Sequence, residues 1–221
     1  MTLTTPSPAT DAGSGDDAPR PRPPWLKLIA IGVAGLAVLA GAGWLGLQWL
    51  TPHPYSGTVM QAPTAAPSMD GLFFSDGTPV EVDEFEGDLL LVYFGYTACP
   101  DVCPTTLSQV AAARKLIGDD GDRVRLVMIS IDPERDVLED LDDYVEAFDP
   151  TFLGATGEVE AVERVAAQYG IFFAKGDPLG DGYAMDHTAT LMGIDRDGHL
   201  RIVWPAQLDV ERLAADLDEL L

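Results

Sequence analysis

Hydrophobic and polar positions divide the chain into four stretches. Residues 1–24 are rich in Pro, Ser, Thr, Asp and Gly and carry no apolar period, so a disordered tail is expected. Residues 28–47 hold no charged side chain. A helix of that length spans a ~30 Å hydrocarbon core, which predicts a transmembrane anchor over 25–50. Residues 51–69 are rich in Pro and Ala and read as a linker. From 70 to 221 short apolar runs alternate with amphipathic ones, the mark of an α/β layer fold.

Within that last stretch the run 89–95, LLLVYFG, has no charge and is β-branched and aromatic, so it reads as a buried strand. A helix over 105–117 follows, opened by Pro104 and closed by Gly118. Residues 123–131 form a second buried strand. Residues 72–82 read as a hairpin turning at Asp76-Gly77. An acidic helix is expected over 134–148, with Leu138, Leu141, Val145 and Phe148 on one face. Another is expected over 158–169, with Val159, Val162, Val165 and Ala166 inward. Residues 189–194 and 200–203 pair across a turn at 195–198, and 209–220 is a closing helix.

The two cysteines of the chain, Cys99 and Cys103, lie between the first strand and its helix, in the order C-P-D-V-C. Each cysteine precedes a proline and so avoids the α region, which predicts a tight turn with Cys103 at or beside the helix N-cap. A helix N-terminus favours a thiolate, and a thiolate is both nucleophile and soft metal ligand. Two thiolates this close form a disulfide or grip one soft metal ion; two inert buried thiols are the competing reading. A reactive loop after the central strand of an α/β layer fold is the thioredoxin plan. The expected fold is therefore thioredoxin-like, a central mixed β-sheet flanked by helices, behind an N-terminal transmembrane helix.

The segment YFGYTACPDVCPTTL resembles the signature of the SCO/SenC family. Further matches follow in order: SIDPERD at 130–136, AFDPTFLGATG at 147–157 and YAMDHTATLMGIDRDG at 183–198. The likeness covers roughly residues 71–221. Ala98 departs from it, standing where many relatives have a histidine. The resemblance implies a membrane-anchored copper chaperone for cytochrome c oxidase assembly, with Cys99, Cys103 and His187 as the metal ligands. Two thiolates and an imidazole suit Cu(I), and the imidazole also admits Cu(II). The implied client is the copper-receiving subunit with its Cu(A) site. A periplasmic copper donor and a thiol reductase are further expected partners.

Charge and topology refine this picture. The net charge of −23 excludes an ordinary nucleic-acid binder. Two cysteines in a chain this long do not make a disulfide-stapled scaffold. The tail and anchor hold three acids and three bases, so the outer domain carries the whole −23. A solvated surface accounts for it, and docking onto a basic partner is the secondary reading. Arg20, Arg22 and Lys27 precede the apolar run, and no Lys or Arg follows until Arg114. The positive-inside rule places the N-terminus in the cytoplasm and the domain in the periplasm of a bacterial membrane. Trp25, Trp44 and Trp49 suit interfacial anchors. Ala40-Gly41-Ala42 resembles a signal cleavage site, but the run exceeds the ~7–15 residues of a signal core.

The remaining candidates are weaker. His53 lies in the linker and His199 follows a turn, so both read as solvated. Asp186 is placed to orient the imidazole of His187 or to cap its turn. Asp132 reads as a turn residue or a partner contact. Met185 and Met192 read as core filler before copper-transfer ligands. Asp195-Arg196-Asp197-Gly198 lacks the rest of a calcium loop and reads as a hairpin turn. The rival function is a thiol-disulfide oxidoreductase keeping client cysteines reduced. Against it stand three residues, not two, between the cysteines, and Ala189 and Thr190 where thioredoxin-like oxidoreductases carry a proline. A redox or copper sensor is a third reading, for which the short tail offers no output domain.

Overall fold

The computed structural model describes residues 24–50, 55–179 and 182–221. Helix α1, Pro24–Leu50, belongs to one unit and every other described element to a second. Side chains in α1 are described without a break only over 31–44, and among the described residues no helix is long and apolar enough to cross a membrane. The described part of α1 exposes Ile31, Val33, Leu36, Val38, Leu39 and Trp44. The tail, apart from Pro24, lies outside the described residues, as does His53.

The second unit is built on β3, Leu89–Gly95, whose seven residues are all buried. Each large apolar side chain in such a run contributes roughly 1.5–3 kcal/mol on burial. β3 pairs in parallel with β4, Val124–Ser130, from Leu89↔Val124 to Gly95↔Ser130. On its other side it pairs antiparallel with β8, Thr190–Ile194. β9, His199–Pro205, and β1, Thr58–Ala65, extend that edge; β5, Leu153–Gly157, and β2, Leu72–Phe73, extend the other. The seven strands run in the order β1-β9-β8-β3-β4-β5-β2.

Helix α2, Val102–Ile117, leaves the end of β3 and packs against α5, Val210–Leu220. It ends at Gly118, whose φ of +70° is the left-handed conformation that Gly adopts without a Cβ clash. Asp209 caps α5 by accepting the Arg212 N–H at 2.9 Å, as a side-chain cap must. Helices α3, Leu138–Glu146, and α4, Val159–Gln168, pack on β5. The unit β3-α2-β4 followed by β8-β9-α5 is the thioredoxin-like plan. Fully buried Asp216 on α5 binds the Trp204 Nε1–H at 2.8 Å and the Ser56 N–H at 2.9 Å, tying the start of the domain to its last helix.

Several expectations need correction. The linker over 51–69 is not free of structure: β1 occupies part of it and pairs Thr58↔Val203 and Thr64↔Leu200. A register shift between Val59 and Thr64 accommodates Pro63 on this edge strand, where a missing N–H is tolerated. Residues 72–82 do turn around Gly77, with Phe74 N–H on Thr78 O, but β2 pairs with β5 and makes only a single bridge, at Pro79, to the returning chain. Helix α3 is shorter than the expected 134–148 because the turn 132–136 closes first, with Asp136 N–H on Asp132 O at 2.9 Å. Val159 is partly exposed, not inward. A second, two-stranded sheet, for which the pattern predicts no strands, precedes and includes His187: β6, Phe173–Leu179, and β7, Gly182–His187, antiparallel with Phe173↔His187.

Candidate metal centre

Helix α2 begins three residues earlier than the proline predicts. Asp101 is its N-cap, and Cys103 lies in its first turn beside Pro104. Pro is tolerated there because first-turn N–H groups have no partner within the helix. The orphan Cys103 N–H instead donates to the Cys99 sulfur at 3.4 Å. The tight turn expected between the cysteines is thus reduced to Pro100 and Asp101. The approach is possible because residue 95 is glycine: a Cβ there would lie 3.0 Å from the Cys103 sulfur.

Both cysteines are free thiols, Cys103 buried and Cys99 half-buried. Their environments drive them apart. The Cys103 thiol donates to Cys99, and this bond lowers the Cys99 pKa most. Burial opposes it, while His187 and the backbone N–H groups of Cys103 and Asp101 lower it further, to about 3. The same thiol–thiol bond, followed by burial, pushes Cys103 well above the ordinary thiol range. Beneath it the Tyr93 hydroxyl donates to the Cys103 sulfur at 3.5 Å. The pair is thus driven apart, the outer sulfur toward thiolate and the inner toward thiol.

His187 ends β7 and meets Tyr96 edge-on, with ring centroids 6.0 Å apart. Its Nδ1 is buried with no hydrogen-bond partner, a costly condition for a polar atom and a natural one for a ligand nitrogen. Asp186 is exposed, its carboxylate over Gly176, and does not satisfy that nitrogen. Among the described residues no group of three or more His, Cys, Asp or Glu side chains already converges tightly enough to hold a metal ion. The fold thus brings two sulfurs and one imidazole into one neighbourhood without closing them on a point. The donor set, two soft sulfurs and an aromatic nitrogen with an open lone pair, fits copper better than a hard cation.

Four residues of this site escape sequence reasoning. Asp136, almost fully buried, binds Thr97 and Ser130 and so holds the start of the cysteine loop. Tyr93 and Tyr96 line the sulfurs and the imidazole. Arg135 ion-pairs with Asp132 and donates to Tyr183 O at 2.9 Å. The stretch SIDPERD contains two of the four, and its density of charge beside a buried strand was the available signal. Asp132 is a buried turn residue that also accepts the Tyr183 hydroxyl at 2.8 Å. Met185 and Met192 are buried apolar residues of the core, as expected. His199 lies 3.6 Å from Asp195 in the hairpin turn, where Gly198 has a φ of +76°.

With this arrangement of loop, helix and hairpin, relatives can be compared. The sequence model of the SCO1/SenC family matches residues 69–221, and the chain belongs to that family. An SCO2-like protein of Rickettsia felis is 32% identical over 178 residues, covering 78% of this chain and 86% of its own. The solution structure of apo Sco1 from Thermus thermophilus is 36% identical with a TM-score of 0.66, covering 76% of this chain and 98% of that one. Bradyrhizobium japonicum ScoI, solved with copper bound, is 35% identical with a TM-score of 0.62, covering 72% of this chain and 98% of that one.

Proposed function

We propose that the chain is a membrane-tethered copper metallochaperone that delivers copper to the Cu(A) site of cytochrome c oxidase during its assembly. Cys99 and Cys103 supply two thiolates and His187 the third ligand. Copper is the cargo of such a protein, not a resident cofactor. One observation carries the reading: a depressed Cys99 thiol and a buried, unpartnered His187 Nδ1 share one rim of the domain. A site of this kind is soft enough to capture copper and incomplete enough to give it up. The copper-bound Bradyrhizobium relative supports the same choice of cargo.

The tether rests on the uncharged run 28–47, its basic N-terminal flank, and the exposed apolar side chains of α1. A helix apolar on every side needs an apolar environment. The proposed orientation is N-terminus cytoplasmic and domain periplasmic, through a bacterial cytoplasmic membrane. Membrane fractionation with N-terminal sequencing tests it, and a mature chain starting just after residue 42 would overturn it.

The test of the metal site is copper binding by the reduced full chain. One copper per chain is expected. Cys99→Ser or Cys103→Ser should abolish tight binding, and His187→Ala should weaken Cu(II) more than Cu(I). Unchanged Cu(II) spectra in His187→Ala would remove His187 from the site.

A thiol-disulfide reductase is the second reading, favoured by the inequality of the two thiols. One ionised, half-exposed sulfur over a buried protonated one is also the arrangement of an attacking and a resolving cysteine.

A further inference from the structure

We infer that Arg135 is a positioning residue for His187: it clamps the β6–β7 hairpin to the turn after β4 and thereby sets where the imidazole stands. The inference rests on the reading of His187 as a ligand.

β6 and β7 form a sheet of their own, separate from the seven-stranded one. No ladder of backbone hydrogen bonds therefore fixes their place. Side chains alternate across a strand, so Tyr183, Met185 and His187 share one face of β7 while Ala184 and Asp186 share the other. The first face meets the body of the domain. Met185 is buried, and its N–H donates to the Tyr96 hydroxyl at 3.3 Å. His187 lies against the Tyr96 ring. Tyr183 meets Arg135 and Asp132.

This last contact is a closed triangle. The Arg135 guanidinium pairs with Asp132, a carboxylate only 2% exposed. It donates to the Tyr183 carbonyl at 2.9 Å and lies 3.8 Å from the centre of the Tyr183 ring. The Tyr183 hydroxyl returns to Asp132 at 2.8 Å. The same guanidinium faces the Tyr96 ring at 5.8 Å. Arg135 thus stands between the aromatic residue that backs His187 and the one near the start of its strand. A planar fork that pairs and stacks at once is a role lysine cannot fill. Lys175 adds an outer contact to Glu134 at 2.6 Å, exposed and so of small effect.

Packing alone does not do this work. A groove of about 270 Å³ runs along one side of the hairpin, bordered by Asp132, Glu134, Val159, Phe173, Lys175 and Met185. Beside that groove the hairpin rests on Met185, Phe173 and Tyr183 together with the discrete polar contacts of Arg135 and Asp132. Local opening of such an element is expected to be easier than opening of the core.

Two variants test the clamp in the full chain: Arg135→Gln, and Tyr183→Leu, which removes ring and hydroxyl from a half-buried position. Hydrogen exchange of the copper-free protein should be about tenfold faster in β6 and β7, with β3 and β4 at wild-type rates. The Cu(II) absorption spectrum should shift toward that of His187→Ala in both variants. If Arg135→Gln fails to fold, Tyr183→Leu carries the comparison. Wild-type hairpin exchange and spectrum in a folded variant, or exchange raised equally in β3 and β4, would overturn the clamp. A spectrum insensitive to His187→Ala would instead defeat the ligand assignment, and the copper-free exchange would still decide the clamp alone.

Discussion

The carboxylate of Asp136 holds Thr97 by two hydrogen bonds, 3.0 Å from its N–H and 2.5 Å from its hydroxyl. It takes a third from the Ser130 hydroxyl at 2.6 Å. The turn after β4 thus fixes Thr97, near the start of the loop that carries Cys99. The loop of Cys99 is anchored by a side chain distant from it in sequence.

Asp136→Ala should accordingly destabilise the domain by about 1–3 kcal/mol, because it strands one buried donor and two half-buried ones and fills nothing. Asp136→Asn should cost less, since its carbonyl oxygen still accepts. Chemical denaturation of both variants checks the order. A cost below about 0.5 kcal/mol for Asp136→Ala, the level of an ordinary surface change, would show that the loop holds itself.

The same contact explains what could and could not be read from the chain. β3 was legible because seven buried residues in one run leave no other reading. The end of α2 at Gly118 follows from local chemistry and stands where expected, and the expected closing helix 209–220 forms over Val210–Leu220 with Asp209 as its cap. β5 was not legible: L-G-A-T-G reads as loop, yet a Cβ at Gly154 would lie 2.7 Å from Leu141, so close packing of α3 on the strand demands the glycine. β6 was hidden by K-G-D-P-L, whose turn-forming residues are tolerated in a two-stranded sheet with a register shift between Lys175 and Pro178. The cysteines and His187 were visible as chemistry. Asp136, Arg135 and Tyr183 were not, because each acts through a partner far along the chain.

The unequal thiols predict an unusual pH profile. A free cysteine is alkylated about tenfold faster for each pH unit gained below a pKa of ~8.5. Cys99, with its pKa lowered to about 3 chiefly by the bond from Cys103, is ionised throughout the range above it. Its alkylation rate should be flat from about pH 5 to 8 and fall only as the pH drops toward that pKa. Cys103, shifted the other way and buried, should stay unmodified over the same range. Mass spectrometry of iodoacetamide-treated chain locates the label. A tenfold rise per unit through neutrality at Cys99 would contradict the shift.

The last prediction separates chaperone from reductase. Copper requires both sulfurs as thiolates, whereas a Cys99–Cys103 disulfide removes both ligands together. Oxidised glutathione would form that disulfide by taking two electrons and leaving two reduced glutathione molecules. The pair is then a redox gate, loading metal when reduced and releasing it when oxidised. Bound copper should in turn protect Cys99 from alkylation and the pair from oxidation, since it stabilises the reduced state by mass action. A reductase would behave differently: it would reduce a protein disulfide with turnover, and His187 would be dispensable. A deletion strain complemented with wild type, Cys99→Ser or His187→Ala, scored for oxidase activity with and without added copper, distinguishes the two. Both variants should fail at low copper, and added copper should restore at least part of the activity. Full activity of His187→Ala at limiting copper, beside its loss in Cys99→Ser, would refute the chaperone and establish the thiols as reductant.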